Sequence, residues 1–236
     1  MKNPSFILIT ISLLLLIISC KKDQGVRVTE DRSVSSFHTI IIDHRINLTI
    51  TQDTIEKLQV MAGINTISSV ITLITDSTLT IQNKDNSTIN DPGNFIEVKL
   101  SVKNLRTIEY QGSGNIASTN KLTPSSFTIV STKGVGIINL EIETDHLVAG
   151  IYEENADFIF RGKANTAFVY CSSRGTIDLK EMEVKKMNMV YSSVRNGFVW
   201  VTENLVGTIY HTGNVFYKGN PVLQKEEVSS GRFLIF

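Results

Sequence analysis

Tyr110-Gln-Gly-Ser-Gly-Asn-Ile116 returns in altered form as Tyr170-Cys-Ser-Ser-Arg-Gly-Thr-Ile177, as Tyr191-Ser-Ser-Val-Arg-Asn-Gly-Phe198 and as Tyr210-His-Thr-Gly-Asn-Val-Phe216. Each version sets a short polar stretch with Gly or Asn between two apolar positions. The leading residues align as Tyr110, Val130, Ile151, Tyr170, Tyr191 and Tyr210, at intervals of 20, 21, 19, 21 and 19. A fixed period in this range marks units that cannot bury an apolar face alone and must stack on their neighbours. Three strands per twenty-residue coil predict a parallel β-helix with coils ~4.8 Å apart. The six leading residues are then expected to lie one above another. Ile116, Ile138, Phe158, Ile177, Phe198 and Phe216 are expected to form a second ladder. Between the ladders, Gly112, Gly114, Asn115, Gly134, Gly175, Gly197, Gly213 and Asn214 are expected at tight corners with positive φ, which Gly and Asn tolerate best.

Upstream of the repeat the pattern is also β. Ile40–Ile42, Ile46–Ile50, Leu58–Val60, Val70–Ile74 and Leu79–Ile81 are short runs rich in Ile, Val and Thr between polar turns. No stretch sustains an apolar 3.6-residue period, and Glu181–Met189, the best local candidate, reads as strand inside the repeat. Residues 83–94 are crowded with Asn, Asp, Pro and Gly and read as a loop. The chain from 34 to 236 is therefore expected to be a single all-β domain. It comprises a β section at 34–82, the loop at 83–94, repeat coils at 95–221 and a C-terminal cap at 222–236 that ends in the strand Phe233–Phe236.

The N-terminus carries a different signal. Lys2 precedes an apolar run from Phe6 to Ile18, and Ile17-Ile18-Ser19-Cys20 then gives way to Lys21-Lys22-Asp23. A basic start, an apolar stretch too short to span a bilayer and a small residue before the switch are the marks of a signal peptide at 1–19. The Cys resembles the lipidation site of bacterial lipoproteins, so Cys20 is expected to carry acyl chains and to anchor the protein to a membrane. More than one acyl chain is needed for stable attachment. Residues 20–33 are polar and charged and read as the lipidated Cys and its tether.

Removal of residues 1–19 takes away only Lys2 among the charged side chains, leaving acidic and basic groups almost balanced. That balance supplies no footprint for nucleic acid, which a basic stripe would provide. With Cys20 lipidated, Cys171 has no disulfide partner within the chain, so packing must hold the fold.

Signal, Cys20, β section, and coils that carry Gly112-Ser-Gly-Asn115 and end in Gly213-Asn-Val-Phe-Tyr-Lys-Gly-Asn-Pro221 together resemble the auto-transporter adhesin head domain, the head GIN domain family. The likeness runs over about residues 37–222. It implies a right-handed parallel β-helix and a cell-envelope location, most simply as an outer-membrane lipoprotein. It implies little chemistry, since fold does not give function.

Catalytic patterns are sparse. His38, His44, His146 and His211 lack metal-ligand spacing, and no cofactor motif is present. Asp43 and His44 are adjacent, and neighbours on a strand point to opposite faces. Gly112-Ser113-Gly114 lacks the residue that a nucleophile elbow places between Gly and Ser. Glu153, Glu154 and Asp157 are candidates for acid/base work, without a second carboxylate cluster to face them. A polysaccharide-cleaving enzyme is thus the weakest of three readings. Stronger are a non-enzymatic binding module or adhesin, and a periplasm-facing partner of another envelope protein. Tyr170, Tyr191 and Tyr210 are core if they point inward and a stacking platform for sugar rings if outward; the Val130 and Ile151 in their column favour core. Asp53-Thr54-Ile and Asp76-Ser77-Thr resemble a short O-glycosylation motif.

Overall fold

The computed structural model describes residues 24–84, 96–153 and 155–236. The leader, Cys20, most of the 83–94 loop and Glu154 lie outside them. Two ladders of stacked strands enclose one mainly apolar core. Face A is built from β5 (Val70–Thr75), β6 (Thr78–Asn83), β2 (Thr39–Ile42), β8 (Thr107–Tyr110) and β10 (Ser126–Ser131). Face B begins with β1 (Arg27–Arg32), β4 (Lys57–Gly63), β7 (Ile96–Val102), β3 (Ile46–Gln52) and β9 (Ile116–Ser118). From there β11 (Ile137–Ile151), β12 (Asp157–Ser173), β13 (Thr176–Ser193) and β14 (Gly197–Ile209) serve both faces, each giving its first half to B and its second half to A. β15 (Val215–Lys218) and β17 (Phe233–Ile235) continue face B, and β16 (Val222–Glu227) continues face A.

The architecture is a parallel β-helix of about twenty-residue coils behind an N-terminal β section, as the repeat predicts. Within the central coils the expected three short strands are fused into one long, bent strand. The ladder to the next coil continues around the corner, with Thr144 paired to Ala164 and His146 to Thr166 while Asp145 and Asn165 drop out. The N-terminal section belongs to the same stack, since β2 pairs with β8 and β3 with β9, both parallel. The expected tether also changes character. Residues 27–32 form β1, antiparallel to β4, and Arg32 donates to the carbonyls of Val70 and Ile67 at 2.5 and 3.0 Å.

The inward ladder on face A is Ile42, Tyr110, Ser131, Ile151, Cys171, Tyr191 and Ile209. It corrects the expected column at Val130, Tyr170 and Tyr210, which stand one residue away and point outward. The paired positions are 21 residues apart from Tyr110 to Ser131, 20 in the next three coils and 18 from Tyr191 to Ile209, and a one-residue shift turns a side chain to the other face. The second ladder holds from Ile116 through Ile138 and Phe158 to Ile177. It then slips: Phe198 pairs with Asp178, so Gly197 and Val215 are buried while Phe198 and Phe216 stack outside at 5.4 Å.

None of the six turn glycines adopts positive φ; Gly162 and Gly219 do, at +114° and +99°. Those six are required for closeness instead. A Cβ on Gly112, Gly114 or Gly213 would run into the carbonyl oxygen of His44, Ile46 or Arg195 in the coil beneath, and one on Gly134 or Gly197 into the Tyr110 or Tyr191 ring. At Gly175 the obstacle is the Ile151 side chain. Asn115 and Asn214 tie coils together. Asn115 Oδ1 accepts from Ile137 N at 3.0 Å, and Asn214 Oδ1 from Arg232 N at 2.9 Å.

The last rung closes the stack chemically. Above Gly207 and Ile209 it places Lys225 and Glu227, paired at 2.8 Å, and Glu227 also accepts from Phe233 N at 2.9 Å. Charged side chains at the end of a ladder oppose further strand addition.

Candidate functional site

Alternation along the strands of face A sends one residue into the core and the next to solvent. In β12, Ala167 and Val169 go inward, so Phe168 and Tyr170 stand outside. Stacking coils align these outward positions into two rows. One runs Val148, Phe168, Asn188 and Val206; the other runs Val130, Gly150, Tyr170, Val190 and Thr208. Phe168 is 43% and Val206 41% exposed. Apolar side chains gathered on one face, here with Asn188 between Phe168 and Val206, make that face a candidate interaction site.

Tyr152 completes the patch. Gly150 has no side chain, and the Tyr152 ring fills that space; a Cβ there would strike it. The ring stacks on Tyr170 with centroids 4.7 Å apart and planes 23° from parallel. Two half-exposed rings on a rigid sheet present a flat π surface at low entropic cost. The aromatics of face B differ, because Lys218 lies 4.5 Å over Trp200 and Lys180 5.8 Å over Phe198. Tyr217 packs partly into the core.

Of the three tyrosines expected to act together, only Tyr170 belongs to this platform. Tyr191 is fully buried and donates its hydroxyl to Arg195 O at 2.8 Å, and burial pushes its phenol up. Tyr110 does the same to Gly114 O at 2.5 Å. Cys171 occupies the equivalent place beside Gly175 O, and burial pushes its thiol up to about 12, so it is a poor nucleophile. Tyr210 is exposed but has no ring partner among the described residues. The sequence reading missed Tyr152 and Phe168. The signal for both was alternation from their buried neighbours Ile151 and Val169.

Of the acid/base candidates, Glu154 lies outside the described residues. Asp157 is held in a fork by Arg195 at 2.6 and 3.2 Å. Among the described residues no group of three His, Cys, Asp or Glu is placed to hold a metal. Asp43 and His44 do meet, contrary to the strand argument, because His44 sits at a turn with φ of 65°; its Nδ1 is 3.3 Å from Asp43 Oδ2. Ser113 donates its backbone N–H to His44 O at 2.9 Å within a structural turn. Thr54 and Ser77 both stand on exposed turns.

The family described as "Putative auto-transporter adhesin, head GIN domain" matches residues 36–221. The chain belongs to this family. Among solved structures, the head GIN chain is similar to a "putative adhesin" of Bacteroides fragilis at 21% identity and a TM-score of 0.79, covering 89% of this chain and 97% of that one. It is similar to a "putative adhesin" of Parabacteroides merdae at 20% identity and a TM-score of 0.67, covering 90% and 97%. A "putative lipid binding protein" of Parabacteroides distasonis has 19% identity and a TM-score of 0.65 over the same shares. At these identities the likeness establishes the fold. No curated protein matches. No helix among the described residues is long and apolar enough to cross a membrane.

Proposed function

We propose that this head GIN protein is a non-enzymatic, lipid-anchored adhesin of the cell envelope that binds carbohydrate on face A. The observation that carries the reading is the Tyr152–Tyr170 stack, half-exposed within the outward rows of face A. Sugar rings offer C–H faces that pack on such π surfaces, and a stack of coils repeats the surface along its axis. Family membership and the relatives described as adhesins support the adhesive role. The engagement of Asp157 by Arg195 supports a non-catalytic one. Ser19-Cys20 supports the anchor.

The test is a glycan array probed with residues 21–236 and with the Tyr152→Ala, Tyr170→Ala double variant. Saturable binding by wild type and its loss in a variant of near wild-type thermal stability is the expected result. Wild type that binds no glycan but captures a purified envelope protein through face A would replace this reading with a docking role.

A further inference from the structure

We infer that the corner where face B turns into face A is the cleft for an uncharged, hydroxyl-rich polysaccharide lying along the solenoid axis. The inference rests on the reading of the chain as a glycan-binding adhesin and says where the polymer runs. At this corner one residue per coil drops out of the ladder, and the freed side chains, Asp145, Asn165 and Lys185, border a groove of about 570 Å³. A smaller depression of about 150 Å³ continues it toward the N-terminal coils and shares Thr123, Pro124 and Ser125 with it. Together they cross five successive coils, at 103–106, 123–125, 143–145, 163–165 and 183–185. Four rung spacings make a cleft of roughly 19 Å. That shape suits a linear chain better than a compact ligand.

The lining selects the chemistry. Along the axis Glu143 pairs in register with Lys163 and Lys163 with Glu183, so charge alternates from coil to coil. A polyanion or a polycation would meet like charge at every second step, which disfavours uronate polymers and nucleic acid alike. A neutral chain of hydroxyls meets acceptors and donors in turn, and hydrogen bonds to charged groups are the stronger kind. Asn165 is oriented for this role by its own bond to Asp145 Oδ1 at 2.6 Å, and Glu143 is held ionised by Lys121 at 2.7 Å. The side chains that line it are mainly polar or charged, which separates the cleft from the stripe that begins three residues beyond Asp145 and Asn165, at Val148 and Phe168.

The experiment measures binding of neutral tetra- and hexasaccharides of glucan, mannan and galactan type, with oligogalacturonate as the charged control, to the mature chain. The variants are Lys163→Ala with Asn165→Ala, and Tyr152→Ala with Tyr170→Ala. Expected are tighter binding of the hexasaccharide than of the tetrasaccharide, little change between low and high salt, and weakening on the order of tenfold in the cleft variant at unchanged melting temperature. Wild-type affinity in the cleft variant, with loss only in the tyrosine variant, would overturn the cleft while leaving the adhesin reading intact. Preference for oligogalacturonate with steep salt dependence would overturn the uncharged-ligand assignment. Wild type that binds no saccharide would overturn both.

Discussion

At Gly114 one hydrogen atom in place of a side chain lets two coils touch, since any Cβ there would run into the Ile46 carbonyl oxygen. Gly213 has the same relation to Arg195 O. Gly114→Val and Gly213→Val are therefore expected to cost about 1–3 kcal/mol by urea or thermal unfolding, while Ser113→Ala costs less than about 0.5 kcal/mol. Equal, negligible effects would contradict the close-approach account. Direction of side chains is read the same way. Tyr191→Ala empties a buried site and should cost roughly 3–5 kcal/mol, whereas Tyr170→Ala forfeits a surface stack and should cost about 1 kcal/mol. The buried acids add a pH dependence. Cys171, Tyr110 and Tyr191 all have their ionisation raised by burial, Cys171 from 9.0 to about 12. Their neutral forms are favoured in the fold, so their stabilisation is complete below pH ~9 and declines as pH rises toward 12. Melting temperature should fall across that window, less steeply in Cys171→Ala. An alkaline limb unaffected by this change would remove Cys171 from the account.

Strand identity was legible because Ile, Val and Thr recur with polar turns between them, and β2 to β6 fall where those runs predict. The coil period was legible for the same reason. Register was not. Tyr170 and Cys171 are neighbours of similar apolarity, and only the pairing of Cys171 with Ile151 and Tyr191 says which one enters the core. The glycines are needed for a reason the sequence does not carry, since contact with a neighbouring coil is a long-range fact, and Gly197 opens a strand where a corner was expected. β1 was hidden because its residues are charged and its burial is slight; backbone pairing to β4 holds it. At the other end, Lys225 and Glu227 stand in register above Gly207 and Ile209 in the last rung of face A. Lys225→Val with Glu227→Val should leave a flat apolar edge and produce concentration-dependent oligomers in size-exclusion chromatography with light scattering. A monomer at all concentrations would show that the charged pair is not what ends the stack.

Taken whole, the molecule is a stack of coils around a mainly apolar core, with rows of outward apolar side chains on one face and a groove lined mainly by polar and charged residues along the adjoining corner. Of these the sequence disclosed the stack. The stripe and the cleft arise from residues twenty apart whose alignment depends on coil length, so Tyr152, Phe168 and the Glu143–Lys163–Glu183 row stayed unrecognised. The lipid-anchored reading makes its own demand at this scale: Cys20→Ser should leave the β domain folded, by circular dichroism, and release it from the membrane fraction or halt it as precursor. Wild type recovered fully soluble without detergent and without acyl label on Cys20 would remove the anchor. Adhesion itself is tested most directly on intact cells that lack the chain and are complemented with either wild type or the Tyr152→Ala, Tyr170→Ala variant, at equal surface display measured by protease shaving. Attachment to a glycan-coated surface is predicted to return with wild type and not with the variant. Equal attachment by both, at equal display, would contradict the claim that face A is the adhesive surface.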